Sequence, residues 1–146
     1  MLKILFLEDS KKDIEIIREL LLEAGLDFSM DCTMKENEFA SMLRSTKYDI
    51  ILADFKLPGF DAFVALRLSN DICPAVPFIC VSGTVGEETA VELLKQGAVD
   101  YILKDRLGRL PSAISHALVE AEELATIRRS GEELQVALTK YKTLFD

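Results

Sequence analysis

The chain has 146 residues, 49% of them apolar, enough for one buried core and leaving little for a second domain. Acidic residues outnumber basic ones 25 to 17, a net charge of -8, which argues against a phosphate-neutralising surface and hence against direct nucleic-acid binding. No apolar run reaches the roughly 20 residues needed to cross a bilayer, no signal-peptide pattern opens the chain, and Cys32, Cys73 and Cys80 lack metal-ligand spacing, so a soluble cytoplasmic protein with reduced, buried thiols is expected.

The first element, "KILFLED", is an apolar run of strand length. The next stretch, "SKKDIEIIRELLLEAG", opens on Ser10 and Asp13 as a capping box, repeats Ile14, Ile17 and Leu21 at helical spacing, and stops at Gly25. A second strand is predicted over "DFSMDCT". Thr33 and Glu36 offer a further capping box for a short helix carrying Phe39, Met42 and Leu43. "YDIILAD" is the most apolar strand, as burial on both faces requires. "FKLPGF" reads as a loop and "DAFVALRLSND" as a helix. "VPFICVSG" gives a fourth strand with Pro77 at its start, and "EETAVELLKQG" a helix closed by Gly97. "AVDYILK" is a fifth strand, and Pro111 suits the first turn of a fifth helix.

Strands alternating with helices predict an α/β fold: a five-stranded parallel sheet covered by helices on both faces. In such sheets ligands sit beyond the carboxyl ends of the strands. There the first strand delivers Glu8 and Asp9, the third Asp54, the fourth Ser82 and the fifth Lys104. Three neighbouring carboxylates repel one another unless they take up protons or share a divalent cation. An all-oxygen set that leaves room for water suits Mg²⁺ better than Ca²⁺, with Mn²⁺ as a substitute. Lys104 and Ser82 then offer a fixed charge and a hydroxyl to phosphoryl oxygens, and one carboxylate could attack phosphorus.

"FLEDS", "ILADFKLPGFDA", "FICVSGT" and "GAVDYILK", in this order over nearly all of residues 1–119, resemble the response-regulator receiver domain, the CheY-like family of two-component signalling. The resemblance implies a flavodoxin-like sheet of strand order 2-1-3-4-5, with Asp54 accepting a phosphoryl group from a phosphohistidine on a partner kinase or phosphotransfer domain. It implies Mg²⁺ held by Asp9, Asp54 and the backbone carbonyl of Lys56, with Glu8 placing a coordinated water. Ser82 matches the switch hydroxyl, Tyr101 the switch aromatic and Lys104 the phosphate-contacting lysine; Lys56 and Thr84 stand where the family tunes the lifetime of the modified state. The family usually has proline after that lysine, and here Asp105 stands there, which puts the usual cis peptide in question.

Rival chemistries fit less well. A magnesium-dependent aspartyl phosphatase would want an acid-base aspartate where Lys56 stands, a flavin site would want a Ser/Thr/Gly-rich loop where "EDSKKD" stands, and the intact acidic cluster argues against an unphosphorylated interaction module, which stays conceivable. His116 is the only histidine and reads as a solvated helix position. The domain is thus expected not to be an enzyme beyond its own phosphorylation and dephosphorylation.

Past residue 119 the fifth helix has no clear stop, so residues 120–146 read as a helical linker. Ile127, Leu134 and Tyr141 recur every seven residues with Ala137 and Leu144 between, as in a short coiled-coil seam that would make a homodimer, though a stripe interrupted by Gly131 could equally pack back on the domain. "YKTLFD" resembles the start of a PAS sensor module, and the chain resembles receivers placed ahead of PAS modules in hybrid sensor kinases, which implies an attached output module and no membrane contact by this segment.

Overall fold

The computed structural model describes residues 1–83 and 86–145, the last three of them by backbone alone. Five parallel strands, β1 (Leu2–Leu7), β2 (Phe28–Thr33), β3 (Ile50–Ala53), β6 (Phe78–Ser82) and β7 (Asp100–Leu103), lie in the order β2-β1-β3-β6-β7. This is the expected 2-1-3-4-5 order. It is numbered differently because "FKLPGF", read from sequence as a loop, closes into a small antiparallel hairpin of β4 (Lys56–Leu57) and β5 (Phe60–Asp61). Gly59 makes the hairpin turn at φ +84°.

Helices α1 (Lys11–Glu23) and α5 (Leu110–Phe145) cover one face of the sheet; α2 (Glu36–Ser45), α3 (Ala62–Ile72) and α4 (Glu87–Lys95) cover the other. The period-2 alternation of the strands sorts the core. Ile4, Phe6, Ile50, Leu52, Ile79 and Val81 meet Ile17, Leu21 and Ile114, while Leu5, Leu7, Ile51, Ala53 and Phe78 meet Phe39, Leu66 and Leu93. Every residue of β3 and β6 is buried, which explains why those strands lack polar alternation.

Local signals set most boundaries. Ser10 Oγ accepts from the backbone N–H of Asp13 at the start of α1, and Asp61 accepts from Val64 N–H at the start of α3. The expected Thr33–Glu36 capping box does not form: Lys35 is the N-cap of α2 and makes no side-chain cap bond, because Thr33 still belongs to β2 and its hydroxyl accepts from Lys35 N–H instead. Of the three thiols only Cys80 is fully buried; Cys32 and Cys73 are half-buried.

Between β7 and α5, residues Lys104–Arg109 form an irregular 3-10 helix broken at Arg106. No peptide bond among the described residues is cis, so the Lys104–Asp105 junction is trans. The Arg109 guanidinium fixes this segment with a two-pronged grip on Asp100 at 3.0 and 3.1 Å and a third bond to the Tyr101 carbonyl. Helix α5 then runs unbroken for 36 residues with Pro111 in its first turn. Leu110, Ala113, Ile114 and Ala117 seat it on the sheet. From Thr126 to Lys142 every side chain is exposed, Ile127, Leu134 and Tyr141 at 68%, 61% and 62%, so the stripe does not fold back on the domain. The side chain of Leu144 lies outside those described. No helix among the described residues is long and apolar enough to cross a membrane.

Candidate functional site

Sheet register builds the site. Leu7 at the end of β1 pairs with Ala53 at the end of β3, so the next residues, Glu8 and Asp54, leave adjacent strands side by side. Asp54 N–H still donates to the Leu7 carbonyl and Glu8 N–H to that of Thr33, which holds both turns rigid. On the other side of the sheet Ser82 pairs with Leu103, and Lys104 is the first residue past β7. β1 ends two residues, and β3 and β7 one residue, sooner than the sequence implied, while β6 ends at Ser82 as expected, so Glu8, Asp54 and Lys104 stand just beyond the ladder with their side chains at one edge.

Carboxylate oxygens of Glu8, Asp9 and Asp54 lie within 4.8 Å of one another. The Lys104 ammonium sits among them, 2.7 Å from Glu8 Oε2, 2.8 Å from Asp13 Oδ2 and 3.3 Å from Asp54 Oδ2. Glu8 is 3% exposed, and its other oxygen accepts from the backbone N–H groups of Asp9 and Ser10. Asp54 has 13% of its side chain exposed and accepts from Phe55 N–H at 2.7 Å. Asp9 is exposed at the mouth of the site.

The electrostatics follow from this crowding. Burial pushes the Glu8 carboxyl up to about 7, with the charge of Asp54 adding to it and Lys104 opposing it. Burial also pulls the Lys104 ammonium down, yet the carboxylates of Asp13, Glu8 and Asp54 together outweigh that and hold it above its ordinary range. One lysine thus contacts three carboxylates, with Asp9 a fourth beside two of them. The surplus of negative charge and the all-oxygen donor set fit a hard divalent cation. Asp9 and Asp54 could ligate it, while both oxygens of Glu8 are already engaged by Lys104 and by backbone N–H groups.

Of the remaining predicted residues, Ser82 is buried at the end of β6 and shares this edge. Tyr101 is half-buried in β7 against the core cluster of α3 and α4. Lys56 begins the β4–β5 hairpin just past Asp54, where its backbone pairs with Asp61. Thr84 lies outside the described residues. His116 is exposed on α5, far along the chain from the cluster. Sequence reasoning missed one member of the site: Asp13, read there only as a cap, also grips Lys104. No local signal reveals this, because the contact depends on where Lys104 comes to rest, 91 residues further along the chain.

Comparison with known proteins agrees with this geometry. The response regulator receiver domain model matches residues 4–115. The transcriptional regulatory protein ZraR of Salmonella typhimurium is 29% identical over 126 residues, covering 83% of this chain and 28% of that protein. The DNA-binding transcriptional regulator NtrC of Escherichia coli K12 is 31% identical over 111 residues, covering 71% of this chain and 24% of that protein. The chain therefore spans about a quarter of the length of these curated relatives. Among solved structures, a CheY-like response regulator receiver domain protein from Methanospirillum hungatei superposes with a TM-score of 0.71 at 25% identity, covering 84% of this chain and 98% of that one. With the acidic edge, the lysine opposite it and the 2-1-3-4-5 sheet all in place, the chain belongs to the response regulator receiver domain family of two-component systems.

Proposed function

We propose that this chain accepts a phosphoryl group on Asp54 from a histidine kinase phosphohistidine, or from a phosphotransfer domain, and changes conformation to regulate an output module. The observation that carries this reading is the Lys104 ammonium held between Glu8 and Asp54, 2.7 and 3.3 Å from their oxygens, with Asp9 completing the acidic group. A carboxylate beside a fixed cation in a largely buried crevice is both a nucleophile and the anchor for the charge that develops on the transferred group.

In this reading an Asp54 oxygen forms a bond to phosphorus as the phosphorus–nitrogen bond of the donor breaks, its electron pair returning to the imidazole. Asp9, Asp54 and the Lys56 carbonyl would hold Mg²⁺, with Mn²⁺ as a substitute, and Glu8 would orient its water. When bound, the ion supplies charge neutralisation and alignment for the phosphoryl oxygens. Lys104 stabilises the same oxygens, and the Ser82 hydroxyl turns toward them. The modification brings about -1.5 to -2 charge to this edge, and Tyr101 moves into the space Ser82 leaves. The domain does not turn over an external phosphate ester; it acts only on its own acyl phosphate.

Residues 1–119 form the receiver in this reading and residues 120–146 a helical linker, leading into a PAS-like module of the kind found in hybrid sensor kinases and pairing two copies through the Ile127, Leu134 and Tyr141 seam. The location is cytoplasmic. Incubation with acetyl phosphate, with and without Mg²⁺, followed by intact mass tests the central claim. One added phosphoryl group is expected, dependent on the ion and lost in Asp54→Asn. Label retained in that variant would refute the assignment.

A further inference from the structure

We propose that Asp13 is the resting anchor of Lys104, a positioning residue that holds the ammonium back from Asp54 and thereby limits how fast Asp54 is phosphorylated. This rests on Asp54 being the phosphoryl acceptor. The ammonium has three N–H donors and three carboxylate neighbours, and the contacts are unequal. Glu8 and Asp13 stand at 2.7 and 2.8 Å, Asp54 at 3.3 Å, so the charge leans toward β1 and α1 and away from the acceptor.

The two closer partners differ in what they can give up. The Glu8 side chain is 0% exposed, and losing its cation would leave a buried carboxylate unpaired. The Asp13 side chain is 30% exposed and turns to water at little cost. Its place is nevertheless fixed: it stands in the first turn of α1, where its backbone N–H is tied to Ser10 Oγ at 3.2 Å. Asp13 is therefore the partner Lys104 releases when phosphoryl oxygens arrive.

With acetyl phosphate the bond that forms joins an Asp54 oxygen to phosphorus, and the bond that breaks joins phosphorus to the acetate oxygen, which leaves with the electron pair. Negative charge on the transferring oxygens then calls on the Lys104 donor that Asp13 occupies. Freeing that donor beforehand removes one cost from the barrier.

The test is the rate of acetyl phosphate labelling, followed by intact mass at saturating Mg²⁺. Asp13→Asn keeps the size and the backbone bond but removes the charge, and is expected to label about threefold to fivefold faster, the upper range of a part-exposed ion pair. Asp13→Glu restores the charge and is expected within about twofold of the wild type. An Asp13→Asn variant that labels no faster, or an Asp13→Glu variant that gains as much, would overturn the anchor. A wild-type chain that takes no label would instead overturn the assignment of Asp54.

Discussion

The Lys104 ammonium lies 2.7 Å from Glu8 Oε2, a carboxylate whose side chain is fully shielded from solvent, so Glu8 depends on Lys104 for its charge. Removing the cation strands the anion. Lys104→Met is expected to cost about 3 kcal/mol at pH 8 in metal-free buffer, as when one partner of a buried pair is deleted. The Glu8 carboxyl already titrates near 7 in the fold, above its unfolded value of 4.5, so the folded state binds the extra proton and gains stability as pH falls between those values. In the variant that proton binds still more readily, and the cost should shrink toward pH 5. Urea unfolding at the two pH values measures it, and an equal cost at both would contradict the coupling.

Tyr48 ties the loop after α2 to the edge strand, its hydroxyl donating to Asp31 Oδ2 at 2.7 Å. Burial first, and that bond second, push the phenol up to about 12 from 10. A raised value means that the contribution is complete below pH 10 and is lost as pH rises toward 12. Tyr48→Phe should cost about 1 kcal/mol at neutral pH. The gap between variant and wild type should close across that alkaline window in denaturant titrations.

Two glycines are expected to respond with opposite signs to alanine. Gly97 ends α4 at φ +117°, and an added Cβ would meet the Asn70 amide at 3.4 Å, the same amide that donates to the Gln96 carbonyl. Gly97→Ala should cost about 1 to 2 kcal/mol of domain stability. Gly131 sits in the helical, exposed part of α5 with open space around it. Gly131→Ala should steady the tail by about 1 kcal/mol locally, read as slower amide exchange there with an unchanged melting temperature.

A chain ending at Ala125 should melt within a few degrees of the full one, because Ala121 and Ala125 are the last half-buried side chains described on α5. If the stripe beyond them pairs copies of the chain, light scattering should show concentration-dependent mass for the full chain alone. Identical scattering from both would remove the tail from any pairing.

Much of this was legible in the residues themselves. The apolar runs and Ser10 as a cap carry the alternating elements and the parallel sheet, and the strand-end carboxylates carry the acidic edge, because burial and the parallel-sheet rule leave few alternatives, whereas the strand order came from the family resemblance alone. The start of α2 was not, since Thr33 serves either as a cap or as a strand end and only pairing with β1 decides between them. The β4–β5 hairpin was hidden because two-residue strands have no periodicity to read. The second duty of Asp13 depends on where a lysine 91 residues away comes to rest, which the register of β6 against β7 sets and no local pattern encodes.

The unbroken α5 has a mechanical consequence. The portion from Thr126 to Phe145 extends about 30 Å past its seat on the sheet. A rocking of about 10° at that seat would sweep the far end through about 5 Å, so any small tilt of α5 on the sheet reaches the tip as a displacement the size of a side chain.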